Sequence, residues 1–138
     1  MSALPRPDEC VDDFLRLALD GQRDSAVRLA VDLRDRGVPT GDIIDGLLAR
    51  TQTEVGERWL RGQVSIAEEH VTTATSTEAL LTLVAEHRAA PDTHRAGHTV
   101  AVAAEGDRHG LVPEMFGCWL RSLGIPVTVL GASRGIGA

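Results

Sequence analysis

A short charged segment, Glu105-Gly-Asp107-Arg-His109, directly follows an apolar run over residues 98–104. A histidine ligates a metal through one ring nitrogen, while a nearby carboxylate can fix its tautomer from the other side. The apolar run is typical of a buried strand, and open α/β sheets bind their ligands at the carboxyl ends of strands. The pattern therefore predicts a metal-binding loop, with the imidazole of His109 two residues after a carboxylate.

A second group that could do chemistry lies further upstream. Trp59 falls at the end of a predicted helix, and nine residues separate it from Glu69 and His70 early in the next one. The turn at residues 62–64 folds the two helices together, so an indole, a carboxylate and an imidazole can converge near one end of a bundle. The alternative interpretation is that Trp59 is a core residue and the Glu-His pair is a solvated helix edge.

Four helical segments must position this upstream group. Hydrophobic spacing predicts them over residues 7–19, 24–37, 40–62 and 65–84, and glycines end the first three at Gly21, Gly37 and Gly62. Asp24 is predicted as the N-cap of the second helix, and Ser65-Ile-Ala-Glu68 as a capping box for the fourth. Because the connections are short, the four helices are expected to form an antiparallel bundle.

The composition changes after residue 88. Residues 89–97 are typical of a linker, and a strand over 98–104, a helix closed by Gly124 and a strand over 126–130 predict a parallel βαβ unit. Trp119 is expected to pack the helix onto the sheet. The predicted fold is mainly α: a four-helix cap domain over 8–88, then a partial α/β, Rossmann-like domain over 98–138. Two strands do not make a stable doubly wound sheet, so this half is expected to be truncated or to need a partner.

Composition excludes several classes of function. The chain of 138 residues is 43% hydrophobic with a net charge of −6, and its basic residues are all Arg. Without Lys, Schiff-base chemistry is excluded, and the negative charge argues against direct nucleic-acid binding. The sequence contains no stretch of membrane-spanning length and no signal peptide, which predicts a cytoplasmic protein. Cys10 and Cys118 are predicted to be buried thiols rather than a disulfide.

The bundle motif resembles a known family. Val55-Gly-Glu-Arg-Trp59-Leu-Arg-Gly62, followed by Ile66-Ala-Glu-Glu69-His70, is similar to the helical cap of cobalamin-binding modules. The Trp, the nine-residue gap and the Glu-His pair resemble the light-sensing, adenosylcobalamin-binding transcriptional regulators. The resemblance implies that Trp59 and Glu69 flank the upper cobalt ligand and that His70 lines the same pocket.

The resemblance also assigns the downstream loop. It implies that His109 is the lower cobalt ligand, that Asp107 supports the imidazole, and that Glu105 belongs to the same cofactor-binding loop. The chain departs from the family pattern at Val112, where glycine is usual, and at Leu60, where some light sensors carry a histidine. The further strands that cradle the nucleotide tail in the family are also missing.

The function implied is that of a sensor rather than an enzyme. The module would bind adenosylcobalamin, with methylcobalamin as the other candidate, and a change of upper ligand by light or by cofactor supply would act on a protein partner or a homo-oligomer. The first alternative is a corrinoid methyl-carrier protein for a methyltransferase system. The second is a helical interaction domain that has lost cofactor binding.

Two other patterns are interpreted as decoys. The segment from Gly131 to Gly137 resembles the glycine-rich turn of short-chain dehydrogenases, but only one residue follows it, and the Tyr and Lys of such enzymes are absent. Three histidines lie close together in sequence, but their spacing lacks the pattern of a zinc site, so they are predicted to be surface residues. They are His87, His94 and His98.

Overall fold

The computed structural model describes residues 4–85, 99–103 and 110–130. A short 3₁₀ turn, Pro7–Cys10, leads into helices α1, Val11–Leu19, and α2, Arg23–Asp35. The next helix is continuous but has three parts, α3 at Thr40–Ile43, a π-helical segment at Ile44–Ala49, and α4 at Arg50–Leu60. Helix α5, Ile66–Ala85, completes the bundle.

Glycine ends three of these helices, and a further helix over residues 111–122, as the sequence predicted. Gly21, Gly37, Gly62 and Gly124 have positive φ angles, which L-residues with a side chain rarely adopt. At the end of α4, the Gln63 N–H donates to the Arg58 carbonyl at 2.8 Å and the Gly62 N–H to the Trp59 carbonyl at 2.9 Å. This is a Schellman motif, which satisfies the last carbonyls of the helix and reverses the chain.

The helix starts agree with the sequence in one case and differ in another. The capping box of α5 is confirmed, since the Ser65 N–H donates to Glu68 Oε2 at 2.6 Å and the Glu68 N–H donates to Ser65 Oγ at 3.2 Å. The prediction of Asp24 as N-cap was wrong, because the cap position is occupied by Gln22, two residues earlier, and α2 starts at Arg23. Asp24 instead lies in the first turn, where a carboxylate interacts favourably with the helix dipole.

The core of the bundle is aliphatic, because the sequence has only two Trp, two Phe and no Tyr. Phe14 is its one fully buried aromatic side chain in the described part of the chain, and Leu and Ile fill most of the remaining volume. The largest fully buried aliphatic side chains are Leu15, Ile43, Leu47, Leu48, Leu80 and Leu83. Truncating one such leucine to alanine typically destabilises a protein by about 2–5 kcal/mol.

The π-helical segment is a feature that hydrophobic periodicity did not predict. It contains Gly46, where a Cβ would lie 3.1 Å from Pro7 Cβ. The 3₁₀ turn that precedes α1 therefore packs directly against the backbone of this segment. A six-residue π segment shifts the helix face by part of a turn, which lets the residues before and after it face different neighbours.

Strand β1, Thr99–Val102, helix α6, Leu111–Ser122, and strand β2, Val127–Leu130, form the predicted βαβ unit. The strands are parallel, with Thr99 opposite Val127 and Val102 opposite Leu130. At Gly117, a Cβ would lie 2.2 Å from Val129 Cγ2, so the glycine lets α6 lie close to β2. A helical bundle followed by a small parallel sheet confirms the predicted fold class.

Helix α6 also packs against the bundle. Met115 and Cys118 are buried in one cluster with Leu80 and Leu83 of α5. Trp119 lies against the start of α3, where a Cβ at Gly41 would be 3.0 Å from its Cδ1 atom. The prediction that Trp119 packs onto the sheet was therefore wrong, because Gly117 faces β2 and Trp119 lies about 200° further around the helix.

Within the described ranges, none of the helices combines the length and the apolar character needed to cross a bilayer.

Candidate functional site

Trp59 lies in the last turn of α4 and is 46% exposed to solvent. The interpretation of this residue as core was therefore wrong. Two further apolar side chains at the same end of the bundle, Leu60 and Ile66, are also exposed. Apolar surface grouped in this way around a turn is typical of a binding face rather than of scattered surface hydrophobics.

Beneath this exposed surface, the turn between α4 and α5 is fixed to the bundle. Val64 in the turn is buried in a small cluster with Val55 and Leu15. Arg58 Nε donates to Glu54 Oε1 at 2.7 Å, and the same guanidinium reaches Asp12 of α1 at 3.4 Å. The end of α4 is therefore anchored on its inner side, while Trp59 on its outer side remains accessible.

A line of hydrogen bonds joins α4 to α5 on the face of α4 that also carries Trp59. Gln52 on α4 hydrogen-bonds to Ser76 Oγ at 2.9 Å and to Thr73 Oγ1 at 2.8 Å. Thr73 Oγ1 also lies 2.9 Å from Glu69 Oε1, and the other carboxylate oxygen of Glu69 contacts His70 Nδ1. The carboxylate is thus held from two sides.

Counting donors fixes the direction of this line. A hydroxyl carries one hydrogen, so Thr73 cannot donate fully to both Gln52 and Glu69. Turning the amide of Gln52 by 180° gives every group a partner, because Ser76 then donates to Gln52, Gln52 to Thr73, and Thr73 to Glu69. Glu69 accepts throughout as a carboxylate.

His70 is the most exposed member of this group. Its side chain is 72% exposed, compared with 24% for Glu69. When Nδ1–H donates to the ionised Glu69, the neutral ring leaves Nε2 directed away from that bond and able to accept or ligate. The sequence prediction that Glu69 and His70 lie together with Trp59 at one bundle end is consistent with this placement, and their role in binding stays a prediction.

The hydrogen bonds of Gln52 also set the relative height of the two helices. Trp59 follows Gln52 by seven residues, which is two turns and about 10 Å along the same face of α4. Because α4 and α5 are antiparallel, Trp59 is level with the first turn of α5, a few residues before Glu69.

Gly56 lies between Gln52 and Trp59 on this side of α4. A Cβ at Gly56 would meet no atom within 4 Å. Helical spacing puts Gln52, Gly56 and Trp59 on one face of α4, and hydrogen bonds link Gln52 to Thr73 and Thr73 to Glu69 on α5. We use the name α4–α5 hollow for the open space beside Gly56 on this face. An aromatic ring, a carboxylate and open space between them can hold a flat polar ligand by stacking and hydrogen bonding.

The predicted metal loop cannot be placed in the same way. Glu105, Asp107 and His109 lie outside the described residues. The described residues on either side do agree with the predicted setting, since β1 ends at Val102 and α6 begins at Leu111. Among the described residues, no group of three or more His, Cys, Asp and Glu side chains is arranged to hold a metal.

Some of the remaining sequence predictions concern described residues and can be checked, whereas others fall outside the described ranges. Cys118 is buried, as predicted, and burial raises the pKa of its thiol. Cys10 is only partly buried, so the prediction was wrong for this residue; desolvation, and then the charge of Asp13, raise the pKa of its thiol. The three histidines and the glycine-rich segment that were interpreted as decoys lie outside the described residues.

Sequence reasoning missed Gln52, Gly56 and Thr73. A signal for them was present, because Gln52, Gly56 and Trp59 follow the i, i+4, i+7 spacing of one helix face. Glu69, Thr73 and Ser76 repeat this spacing on α5. Two polar faces of matching period on consecutive antiparallel helices predict a polar seam between them.

Comparison with known families adds an independent finding. The model of the B12 binding domain matches residues 11–83, from the start of α1 nearly to the end of α5. The matched span covers more than half of the 138 residues and includes every residue that borders the α4–α5 hollow. No curated protein matches the chain. On the strength of the family match, this chain belongs to the B12 binding domain family.

Proposed function

We propose that this chain is a regulatory module that binds adenosylcobalamin against the α4–α5 hollow and passes the state of the cofactor to a protein partner or to its own oligomeric state. One observation carries the proposal. Trp59 is 46% exposed at the same bundle end as Glu69, whose carboxylate is already held by Thr73 and His70. An aromatic face and an oriented acceptor suit a cofactor with a nucleoside as its upper ligand.

Trp59 would supply the apolar contact. An indole buries about 150–250 Å² when it is fully covered, more than an aliphatic side chain of the bundle. Leu60 and Ile66 extend the exposed apolar surface around it. Covering this exposed apolar surface with a flat ligand is favourable, because it removes apolar area from water.

Glu69 would supply the polar contact. An ionised carboxylate has about four sites for accepting hydrogen bonds, and Thr73 and His70 occupy one on each oxygen. The remaining sites can accept from hydroxyl groups such as those of a ribose. Because Thr73 and His70 already orient the carboxylate, little conformational entropy is lost when a ligand binds. His70 would line the same pocket through its exposed ring.

We assign the lower side of the cofactor to the loop after β1. His109 would ligate cobalt, Asp107 would hold the imidazole in the correct tautomer, and Glu105 would belong to the same loop. The support for this assignment is the resemblance of the loop sequence and its position between the end of β1 and the start of α6.

The cofactor supplies, when bound, a cobalt–carbon bond that light can break. The residues of the chain respond by differential binding, because a ligand shifts an equilibrium only by its difference in affinity for two states. Trp59 and Glu69 make contacts that depend on a large upper group. When the upper ligand leaves, these contacts are lost and the free energy of the cofactor-bound protein changes. This change would alter the affinity of the module for a protein partner or for a second subunit.

The test is to purify the full chain with adenosylcobalamin and to record its absorption spectrum and its mass by light scattering, in the dark and after illumination. We expect retained corrin absorption, a spectral change on illumination, and a change in mass or in partner binding. If saturating cofactor leaves no corrin absorption on the protein, cobalamin binding by this chain is contradicted.

Two comparisons separate the alternatives. Tighter binding of methylcobalamin than of adenosylcobalamin would favour a corrinoid methyl carrier. The His109→Ala variant should bind corrinoid more weakly and show a changed spectrum. If this variant behaves like the wild type in every measurement, the chain is better described as a helical interaction domain.

A further inference from the structure

Gly56 occupies a position where the fold itself gives no reason for glycine. It lies inside α4, where glycine destabilises a helix relative to alanine. Its backbone is not in the left-handed region, because the four described residues with positive φ are Gly21, Gly37, Gly62 and Gly124. A conformational requirement is therefore excluded.

Packing within the chain does not require a glycine at this position either. Other helical glycines of the chain each have a close neighbour: a Cβ would lie 3.0 Å from Trp119 at Gly41, 3.1 Å from Pro7 at Gly46, and 2.2 Å from Val129 at Gly117. At Gly56, a Cβ would meet no atom within 4 Å. The space it would occupy is open and belongs to the α4–α5 hollow.

We infer that Gly56 determines which upper ligands the hollow accepts, by leaving room for a nucleoside-sized group beside the α4 backbone. The inference rests on the proposed function, since it concerns the same site. Helical spacing puts Gly56 on the same face of α4 as Gln52 and Trp59, and Gln52 is bonded to Thr73 of α5. A large planar group stacked on Trp59 along this face would therefore lie beside the backbone of Gly56. A methyl group on cobalt is far smaller than a nucleoside and would not need the room beside that backbone.

A side chain at position 56 should therefore change the stability of the free protein and its affinity for adenosylcobalamin in opposite directions. Alanine improves helix propensity and narrows the unfolded ensemble, so the free protein becomes more stable. The same methyl group enters the hollow and displaces a bulky ligand, because overfilling a packed site is unfavourable. Opposite signs for stability and affinity are not expected from a residue with a merely structural role.

The experiment compares the full-length wild type with Gly56→Ala and Gly56→Leu, using adenosylcobalamin and methylcobalamin as probes. Thr82→Ala is the matched control, because Thr82 is an exposed α5 residue whose hydroxyl bonds only within its helix, to the Glu78 carbonyl. For Gly56→Ala and Thr82→Ala, we expect the Tm without cofactor to rise by about 2–4 °C. Gly56→Leu should weaken adenosylcobalamin binding by about tenfold or more, Gly56→Ala by less, and neither should alter methylcobalamin binding.

The outcomes are distinguishable. If the wild type binds neither corrinoid, the proposed function fails, and this inference fails with it. If the wild type binds adenosylcobalamin but both Gly56 variants bind it equally well, the hollow does not hold the upper ligand. Equal weakening of both corrinoids, or a similar loss in Thr82→Ala, would show that the effect is not specific to the size of the upper group. Each of these results overturns the assignment of Gly56.

Discussion

The two ends of the long helix that runs from α3 into α4 each carry a glycine close to a tryptophan, and the two pairs differ. Near its start, the Gly41 backbone is covered by Trp119 of α6, which lies where a side chain would have been. Near its end, Gly56 is three residues before Trp59, and the space beside it is open. The first pair is a packing contact within the fold. In the second pair, neither Trp59 nor any other described residue covers the glycine.

This comparison separates two reasons for placing a small residue next to an aromatic ring. At Gly41 the neighbour is part of the chain, so the pair contributes to the free energy of unfolding. At Gly56 no described residue fills the space, so the pair adds no packing contact to the fold and is open to a ligand. Trp119 is 36% exposed and Trp59 is 46% exposed, so exposure alone would not distinguish them. The difference is that Trp119 contacts the Cβ position of Gly41, whereas no atom lies near that position at Gly56.

The largest expected effect comes from truncating each tryptophan in turn. Trp119→Ala removes the cover of Gly41 and the stacked contact with Phe116, whose ring centroid lies 6.1 Å away. We expect it to lower the free energy of unfolding by about 1–3 kcal/mol, less than for a fully buried tryptophan. Trp59→Ala should change stability by only about 0.5 kcal/mol and should weaken corrinoid binding. Urea unfolding and cofactor titration measure the two quantities.

The comparison would be broken by the reverse pattern. A large loss of stability in Trp59→Ala would mean that its indole is part of the packed fold and that the exposed surface is incidental. A loss of corrinoid affinity in Trp119→Ala at full occupancy of the folded state would place the ligand near α6 instead. Each variant therefore serves as the control for the other.

A smaller effect is expected at Thr73, whose hydroxyl belongs to the line of hydrogen bonds between α4 and α5. We call the bundle end that carries Trp59 and Gly56 the open end. Thr73→Val keeps the shape of the side chain but removes the hydroxyl that bonds Gln52 and Glu69. The loss in stability should be about 1 kcal/mol, and corrinoid affinity should fall because Glu69 is no longer oriented. Thr77→Val is the control, since the Thr77 hydroxyl bonds only to the carbonyl of Thr73 in its own helix.

Urea unfolding and a cofactor titration of both valine variants decide the point. If Thr77→Val weakens binding as much as Thr73→Val, then the seam does not orient Glu69, and the open end is less organised than its hydrogen bonds suggest. A loss of corrinoid affinity restricted to Thr73→Val would strengthen the contrast between the two ends. Among the described residues, no comparable line of side-chain hydrogen bonds lies at the Gly41 end.

The sequence predicted the elements better than the contacts between them. Glycine stops and the Ser65 capping box depend on local backbone chemistry, so they could be predicted from a few neighbouring residues. The cover of Gly41 by Trp119 joins residues far apart in sequence and has no local signal. The π-helical segment Ile44–Ala49 was missed for a related reason, since its hydrophobic spacing resembles that of an α-helix.

For the candidate site, the chemically obvious residues could be named from the sequence, whereas the residues that hold them in place could not. Trp59, Glu69 and His70 stand out by residue type, and their spacing around a turn predicts that they meet. Gln52 and Thr73 have side chains that occur on any helix surface, so only their shared period marks them. Gly56 was interpreted as part of a motif, and its physical meaning depends on what is missing beside it, which a sequence does not display.

The smallest expected effect concerns the capping box that starts α5 at the open end. Hydrogen bonds from the Ser65 backbone N–H, and then from its side chain, lower the pKa of Glu68 from its ordinary value of 4.5. A carboxyl whose pKa is lower in the folded state stabilises the fold above its unfolded pKa, and this contribution is lost as the pH falls through the folded value. Stability should therefore decrease with acid below about pH 4.5, in part through Glu68. The group is fully exposed, so the effect is small.

Glu68→Gln isolates the pH-dependent contribution of the Glu68 carboxylate to stability, because glutamine can also complete a capping box but does not titrate. We expect the difference in unfolding free energy between the wild type and this variant to shrink as the pH is lowered from 6 to below 4, measured by urea unfolding at several pH values. Ser65→Ala should keep most of the pH-dependent part, because the backbone N–H of residue 65 still donates to Glu68, but it should leave the start of α5 less well capped at every pH. A pH-independent difference for Glu68→Gln would contradict the contribution of this carboxylate, whereas a loss of corrinoid affinity in Ser65→Ala would show that the open end needs a well-formed first turn of α5 to hold Glu69 in place.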